Sequence, residues 1–125
     1  MASDKLNILV VDDKKIIGDL FDFTLGYSGH SITVVDNARA AYEAVKGRNF
    51  DIAFVDIVMP ECDGVDVLKE LKHLSPQLPV VMMSGYSVED KKKEAGELGA
   101  VACLKKPFEI DEVKSLITTI LNKDV

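Results

Sequence analysis

Two hydrophobic periods alternate along this chain. Leu6–Val11 is a short apolar run rich in β-branched residues and closed by Asp12-Asp13, the pattern of a strand buried on both faces. Lys14–Ser28 changes to helical spacing. Lys15, Gly18, Asp19 and Asp22 form its polar stripe, while Ile16, Ile17, Leu20, Phe21 and Phe23 cover most of the remainder. Gly26 and Gly29 end that helix. Ser31–Val35 predicts a second strand, and Asp36 or Asn37 offers the cap of a helix running to about Gly47.

Asp51–Asp56 is a third strand, again apolar and again ending in aspartate. Asp63 caps a helix whose Val65, Leu68 and Leu71 recur on one face. Leu78–Met83 predicts the fourth strand, with Pro79 tolerated at its start. Val88–Leu98 is the weakest helix, because only Val88, Ala95 and Leu98 can face a core and Gly96 costs about 1 kcal/mol against alanine. Ala100–Leu104 is a fifth strand, and Glu109–Asn122 a last helix with Ile110, Val113, Ile117 and Ile120 on one side.

Five apolar strands, each followed by a helix, predict an α/β fold: a doubly wound parallel sheet with helices on both faces. No linker, low-complexity segment or longer repeat interrupts the rhythm. The chain of 125 residues therefore reads as one domain over residues 1–125, structured from about residue 5 to residue 122.

Composition narrows the functions. Fifteen basic against twenty-one acidic side chains leave a net charge of −6, and Lys91-Lys92-Lys93 is the one basic run, read as the wet face of a helix. Such a chain is a poor binder of nucleic acid. No apolar run approaches the roughly 20 residues that span a bilayer, and Met1–Asn7 lacks the features of a secretory signal. The expectation is a soluble, cytoplasmic protein with no membrane contact. Two cysteines, Cys62 and Cys103, and two histidines, His30 and His73, lack the spacing of a zinc site.

In parallel sheets of this kind, ligands gather at the carboxyl ends of the strands, where strand order reverses. Strand one ends in Asp12-Asp13, strand three in Asp56, strand four in Ser84-Gly85 and strand five in Lys105-Lys106-Pro107. Crowded carboxylates raise one another's pKa unless a cation sits among them. Oxygen ligands suit a hard divalent ion such as Mg²⁺, and a carboxylate is also a nucleophile toward phosphorus.

Four segments then carry a resemblance that covers essentially the whole chain. They are Val10-Val11-Asp12-Asp13, Asp56-Ile57-Val58-Met59-Pro60-Glu61-Cys62-Asp63-Gly64, Met83-Ser84-Gly85 and Lys106-Pro107-Phe108. In this order, each at a strand end, they resemble the receiver domain of two-component response regulators. The resemblance implies strand order 2-1-3-4-5, the order of a chemotaxis regulator. It implies Asp56 as phosphoacceptor, Asp13 and Asp56 as Mg²⁺ ligands, Asp12 acting through metal-bound water and the backbone carbonyl of Val58 completing the coordination. It implies Lys106 and Ser84 as the groups that bond the phosphoryl oxygens, and a cis peptide bond before Pro107.

As partners it implies a histidine kinase or histidine phosphotransfer protein, and as output an unknown partner or a C-terminal effector domain whose linker would begin near Val125. The face formed by the fourth helix, fifth strand and fifth helix would switch. Such a module assists its own phosphorylation and dephosphorylation without turning over an independent substrate.

The chain departs from the family at Cys103, where many members carry an aromatic ring that swings inward. Cys103 is expected to pack as a small hydrophobe, and Tyr86 is the nearest large group in sequence that could respond in its place. Val58 and Tyr86 also stand two residues past Asp56 and Ser84, the positions that flank an attacking water; neither orients one, so a long-lived phosphorylated state is expected. Cys62 reads as an exposed, incidental thiol and His73 as a solvated residue. Two other functions fit the residues less well. A phosphohydrolase of the haloacid-dehalogenase type needs a second acid where Val58 stands. A phosphorylation-independent pseudo-receiver would not need the complete acid set with Lys106.

Overall fold

A computed structural model describes residues 5–85 and 89–125; the expectations for Tyr86 and Val88 lie outside the described residues. Five parallel strands form one sheet: β1 (Asn7–Val11), β2 (Ser31–Val35), β3 (Ile52–Asp56), β4 (Val80–Ser84) and β5 (Ala102–Lys105), in the order β2-β1-β3-β4-β5. Between them run α1 (Lys15–Phe21), α2 (Ala38–Gly47), α3 (Gly64–Leu74) and α4 (Glu89–Glu97), and α5 (Ile110–Leu121) closes the chain. The doubly wound architecture and its strand order are as the sequence and the family resemblance predict.

The apolar strand runs follow from burial on both faces. Side chains alternate across a strand, so Leu9, Val11, Ala53, Val55, Val80 and Met82 pack with Ala41, Leu68, Leu71 and Ala95 of α2, α3 and α4. Ile8, Val10, Ile52, Phe54, Val81 and Met83 pack on the opposite face with Phe21, Leu25, Val113 and Ile117. Each central strand thus divides its residues between two cores. No helix among the described residues is long and apolar enough to cross a membrane.

Several local expectations need correction. The first helix is α-helical only to Phe21 and widens into a π-helical turn over Asp22–Gly26. There the Thr24 hydroxyl donates to the Leu20 carbonyl. Its inward face is Gly18, Phe21 and Leu25, whereas Ile16 and Phe23 are 74% and 77% exposed. This helix holds more apolar residues than one face can bury. Gly18 belongs inside because a Cβ there would stand 2.7 Å from Cγ1 of Val34, so α1 reaches β2 through its glycine. Cys62 is half-buried against the core beneath α2 and α3, and burial pushes its thiol up. Cys103 is exposed rather than packed. His73 is exposed, as expected. Of the two possible caps of α2, Asn37 serves: its Oδ1 accepts the Ala40 N–H at 2.8 Å, worth about 1 kcal/mol.

Candidate functional site

The strand order reverses at β1, which has β2 on one side and β3 on the other. The carboxyl ends of β1 and β3 therefore lie side by side, and Asp12, Asp13 and Asp56 meet there. One oxygen from each lies within 4.8 Å of the others. Asp12 and Asp56 are buried while Asp13 is half-exposed at the rim.

Asp12 performs two tasks. Its Oδ1 accepts the backbone N–H of Lys14 at 2.8 Å, which ties down the start of α1. Its Oδ2 accepts from Nζ of Lys106 at 2.7 Å. Asp12 is thus not the cap of α1, whose N-cap position is Lys14, but a pocket residue that also fixes the turn before the helix.

Asp56 ends β3, and its Oδ1 accepts the Val58 N–H at 3.2 Å. Its Oδ2 is buried and receives no hydrogen bond, although Lys106 Nζ stands 3.2 Å away and Lys14 Nζ 3.5 Å away. Burial raises the Asp56 pKa above its ordinary value and the Asp12 charge adds to the rise, against the pull of Lys106 and the Val58 N–H. A buried carboxylate oxygen without a donor, beside two further carboxylates, is a donor set fitted to a hard cation.

Two short extended segments, Val58–Met59 and Cys62–Asp63, form a small hairpin after Asp56 and return the chain to α3. Asp63 caps that helix through the Val65 N–H at 2.9 Å, as expected, and pairs with Lys91 of α4. Gly64 is required at the next position. A Cβ on it would stand 2.0 Å from the Asp56 carbonyl oxygen, so α3 begins directly against the backbone of the candidate nucleophile.

The β4 and β5 ends supply the other groups. Met83 pairs with Asp56 in register, which places buried Ser84 one residue further along the pocket wall. Ser84 pairs with Lys105, and the Lys106 N–H donates to the Ser84 carbonyl at 2.7 Å. Lys105 is exposed, whereas the Lys106 side chain is only 12% exposed and turns into the pocket. The Lys106-Pro107 peptide bond is cis. The structure thus brings together Asp12, Asp13, Asp56 and Lys106, with Ser84 on the adjoining strand end and the Val58 backbone just beyond Asp56.

Sequence reasoning missed Lys14. Read only as the first residue of a helix, it stands 3.3 Å from Asp13 Oδ1 as well as 3.5 Å from Asp56 Oδ2. Partial burial pulls its pKa down, but the charges of Asp56 and Asp13 outweigh this and hold the ammonium above its usual range. Its adjacency to Asp12-Asp13 was the available signal.

The comparisons with known proteins point one way. The family profile described as the response regulator receiver domain matches residues 8–118. The chain is 34% identical over 119 residues to the transcriptional regulatory protein FixJ of Bradyrhizobium diazoefficiens, covering 95% of this chain and 58% of that protein. It is 34% identical over 121 residues to the transcriptional regulatory protein ZraR of Escherichia coli K12, covering 97% of this chain and 27% of that one. The chain therefore spans little more than half the length of one curated relative and about a quarter of the other. Among solved structures, the receiver domain of NtrX from Brucella abortus is 34% identical, with a TM-score of 0.85 over 92% of this chain and 98% of that chain.

Proposed function

The chain belongs to the response regulator receiver domains, the phosphorylated signalling modules of two-component systems, and we propose that it is a Mg²⁺-dependent switch in which Asp56 is the phosphoacceptor. The observation that carries this reading is Asp56 Oδ2, a buried carboxylate oxygen that accepts no hydrogen bond and is set among two further acids and two ion-paired ammonium groups.

The donor is a phosphohistidine on a histidine kinase or phosphotransfer protein, or a small phosphodonor. An oxygen of Asp56 attacks phosphorus in line with the donor nitrogen. The new P–O bond forms as the P–N bond breaks, the imidazole nitrogen keeps the electron pair, and Asp56 becomes an acyl phosphate. A magnesium ion held by Asp13, Asp56, the Val58 carbonyl and, through water, Asp12 would screen the repulsion between carboxylate and phosphoryl oxygens. Lys106 supplies a positive charge to one phosphoryl oxygen, and the Ser84 hydroxyl donates to another.

Output would pass through α4, β5 and α5. Among the described residues α4 buries only Ala95, so little packing opposes its rearrangement. The switched face would engage a separate partner or an effector domain, with no nucleic-acid or membrane contact by residues 1–125, which act as one domain in the cytoplasm. Val58 is exposed and carries no group to orient a water, which favours a long-lived acyl phosphate.

Treatment with acetyl phosphate tests the reading. Intact-mass measurement should show one added phosphoryl group in the presence of Mg²⁺ and none after chelation. Uptake indifferent to Mg²⁺, or no uptake under either condition, would count against it.

A further inference from the structure

We propose that Lys14 is a second phosphoryl-binding cation of this site and a built-in competitor of its divalent metal. The inference rests on the reading of Asp56 as phosphoacceptor and adds a residue that the family pattern does not supply.

The geometry is that of a shared counter-ion. Lys14 Nζ sits 3.3 Å from Asp13 Oδ1 and 3.5 Å from Asp56 Oδ2, and so bridges the two acids assigned as direct metal ligands. Lys106 serves the other pair, 2.7 Å from Asp12 Oδ2 and 3.2 Å from Asp56 Oδ2. Three carboxylates are thus balanced by two ammonium groups, one inside the pocket and one at its rim. The two differ in freedom. Lys106 is nearly enclosed, whereas the Lys14 side chain is 55% exposed on a backbone fixed by the Asp12 contact. A flexible four-carbon stem on a fixed base can leave the carboxylates and follow a new negative charge.

Two consequences of opposite sign follow. A divalent cation entering between Asp13 and Asp56 meets an ammonium already there, so Lys14 weakens metal binding. A phosphoryl group on Asp56 replaces one carboxylate charge with about two, and Lys14, already paired beside it and half-exposed, can swing to meet it. Lys14 therefore aids transfer once the metal is bound. A residue that only capped α1 would change neither quantity selectively.

The test is Lys14→Gln beside Lys14→Arg, each measured on the whole chain. Calorimetric titration with Mg²⁺ alone should show Lys14→Gln binding about threefold to tenfold tighter than the parent, the range expected for removing one nearby unit charge in a solvated, salt-screened site. At saturating Mg²⁺, its phosphorylation by acetyl phosphate should be slower by about the same factor. Lys14→Arg should keep both parental values, because the charge is retained. An unchanged or weaker Mg²⁺ affinity in Lys14→Gln overturns the proposal, and so does an unchanged rate at saturation. A parent protein that neither binds Mg²⁺ nor takes up phosphate overturns the reading of Asp56 and this inference with it. A parent that does both, beside an identical Lys14→Gln, overturns the inference alone.

Discussion

Lys106 Nζ is closer to Asp12 Oδ2, at 2.7 Å, than to Asp56 Oδ2, at 3.2 Å. The lysine that would bind a phosphoryl group on Asp56 is thus held by the first strand's acid, 94 residues away in sequence. Both carboxylates are buried, so removing the ammonium leaves two negative charges without their inner counter-ion. Lys106→Met should lose about 3 kcal/mol of stability in the absence of Mg²⁺, the scale of a broken buried pair, and recover part of it when Mg²⁺ is added. Urea unfolding with and without the metal measures both. Equal midpoints for parent and variant would show that the pair holds nothing together.

Gly64 makes a separate demand on the same strand. Its N–H donates to the Ile57 carbonyl at 2.8 Å, and a Cβ would fall 2.0 Å from the Asp56 carbonyl oxygen and 2.6 Å from Ile57 Cα. These are backbone atoms and have no rotamer to give. Gly64→Ala should cost about 2–3 kcal/mol, at the upper end of ordinary overpacking, and should slow phosphorylation because Asp56 moves with its backbone. A variant as stable as the parent in urea would contradict this.

His30 sets an acid limit away from the pocket. It is buried, and its Nδ1 accepts the Leu6 N–H at 3.0 Å, so the ring is neutral with its proton on Nε2. Burial, with a smaller push from the Lys114 charge, lowers its pKa below the ordinary histidine value of about 6.5. The unfolded chain therefore takes up a proton at higher pH than the folded one does. Stability is fully present above about pH 6.5 and falls as the pH drops below it toward the folded pKa. His30→Asn, which keeps an acceptor near Nδ1, should flatten this slope in urea unfolding at a series of pH values. A variant with the parental slope would assign the acid sensitivity elsewhere.

Among the described residues, an ion pair ties α4 to α3. Lys91 of α4 pairs with Asp63, the cap of α3. Burial raises the Asp63 carboxyl, but Lys91 and the Val65 N–H outweigh it and hold the pKa below its ordinary value. With Ala95 as its one buried residue among those described, α4 should exchange amide hydrogens faster than α1. Lys91→Met should speed α4 exchange further and leave α1 unchanged. Exchange in α4 as slow as in α1 would refute the account of a loosely held output helix.

Much of this was legible because burial on two faces leaves a strong mark. Val55 and Phe54 point to opposite cores, yet both are apolar, so β3 reads as an unbroken run ending at Asp56. The strand-end acids and Lys106 followed from that punctuation. Strand order did not, since alternation of strands and helices permits several; it came from the family resemblance. The first helix misled because Ile16 and Phe23 are as apolar as Phe21 while only Phe21 faces inward, and helical spacing alone does not rank two apolar faces. Lys14 escaped because its place beside Asp13 read as an ordinary helix start, and only its distance to Asp56 across the sheet marks it as part of the pocket. Cys103 was expected to pack inside, but β5 is the edge strand of the sheet and leaves it exposed.

The proposed switch depends on Asp56 carrying the phosphoryl group. Peptide mapping by mass spectrometry after acetyl phosphate and Mg²⁺ treatment tests it most directly, with the Asp56→Asn protein run in parallel. The phosphoryl mass should appear on the peptide containing Asp56 alone, and nowhere in Asp56→Asn, whose amide is no nucleophile toward phosphorus. Stable phosphate on another residue of Asp56→Asn, at the parental level, would contradict it.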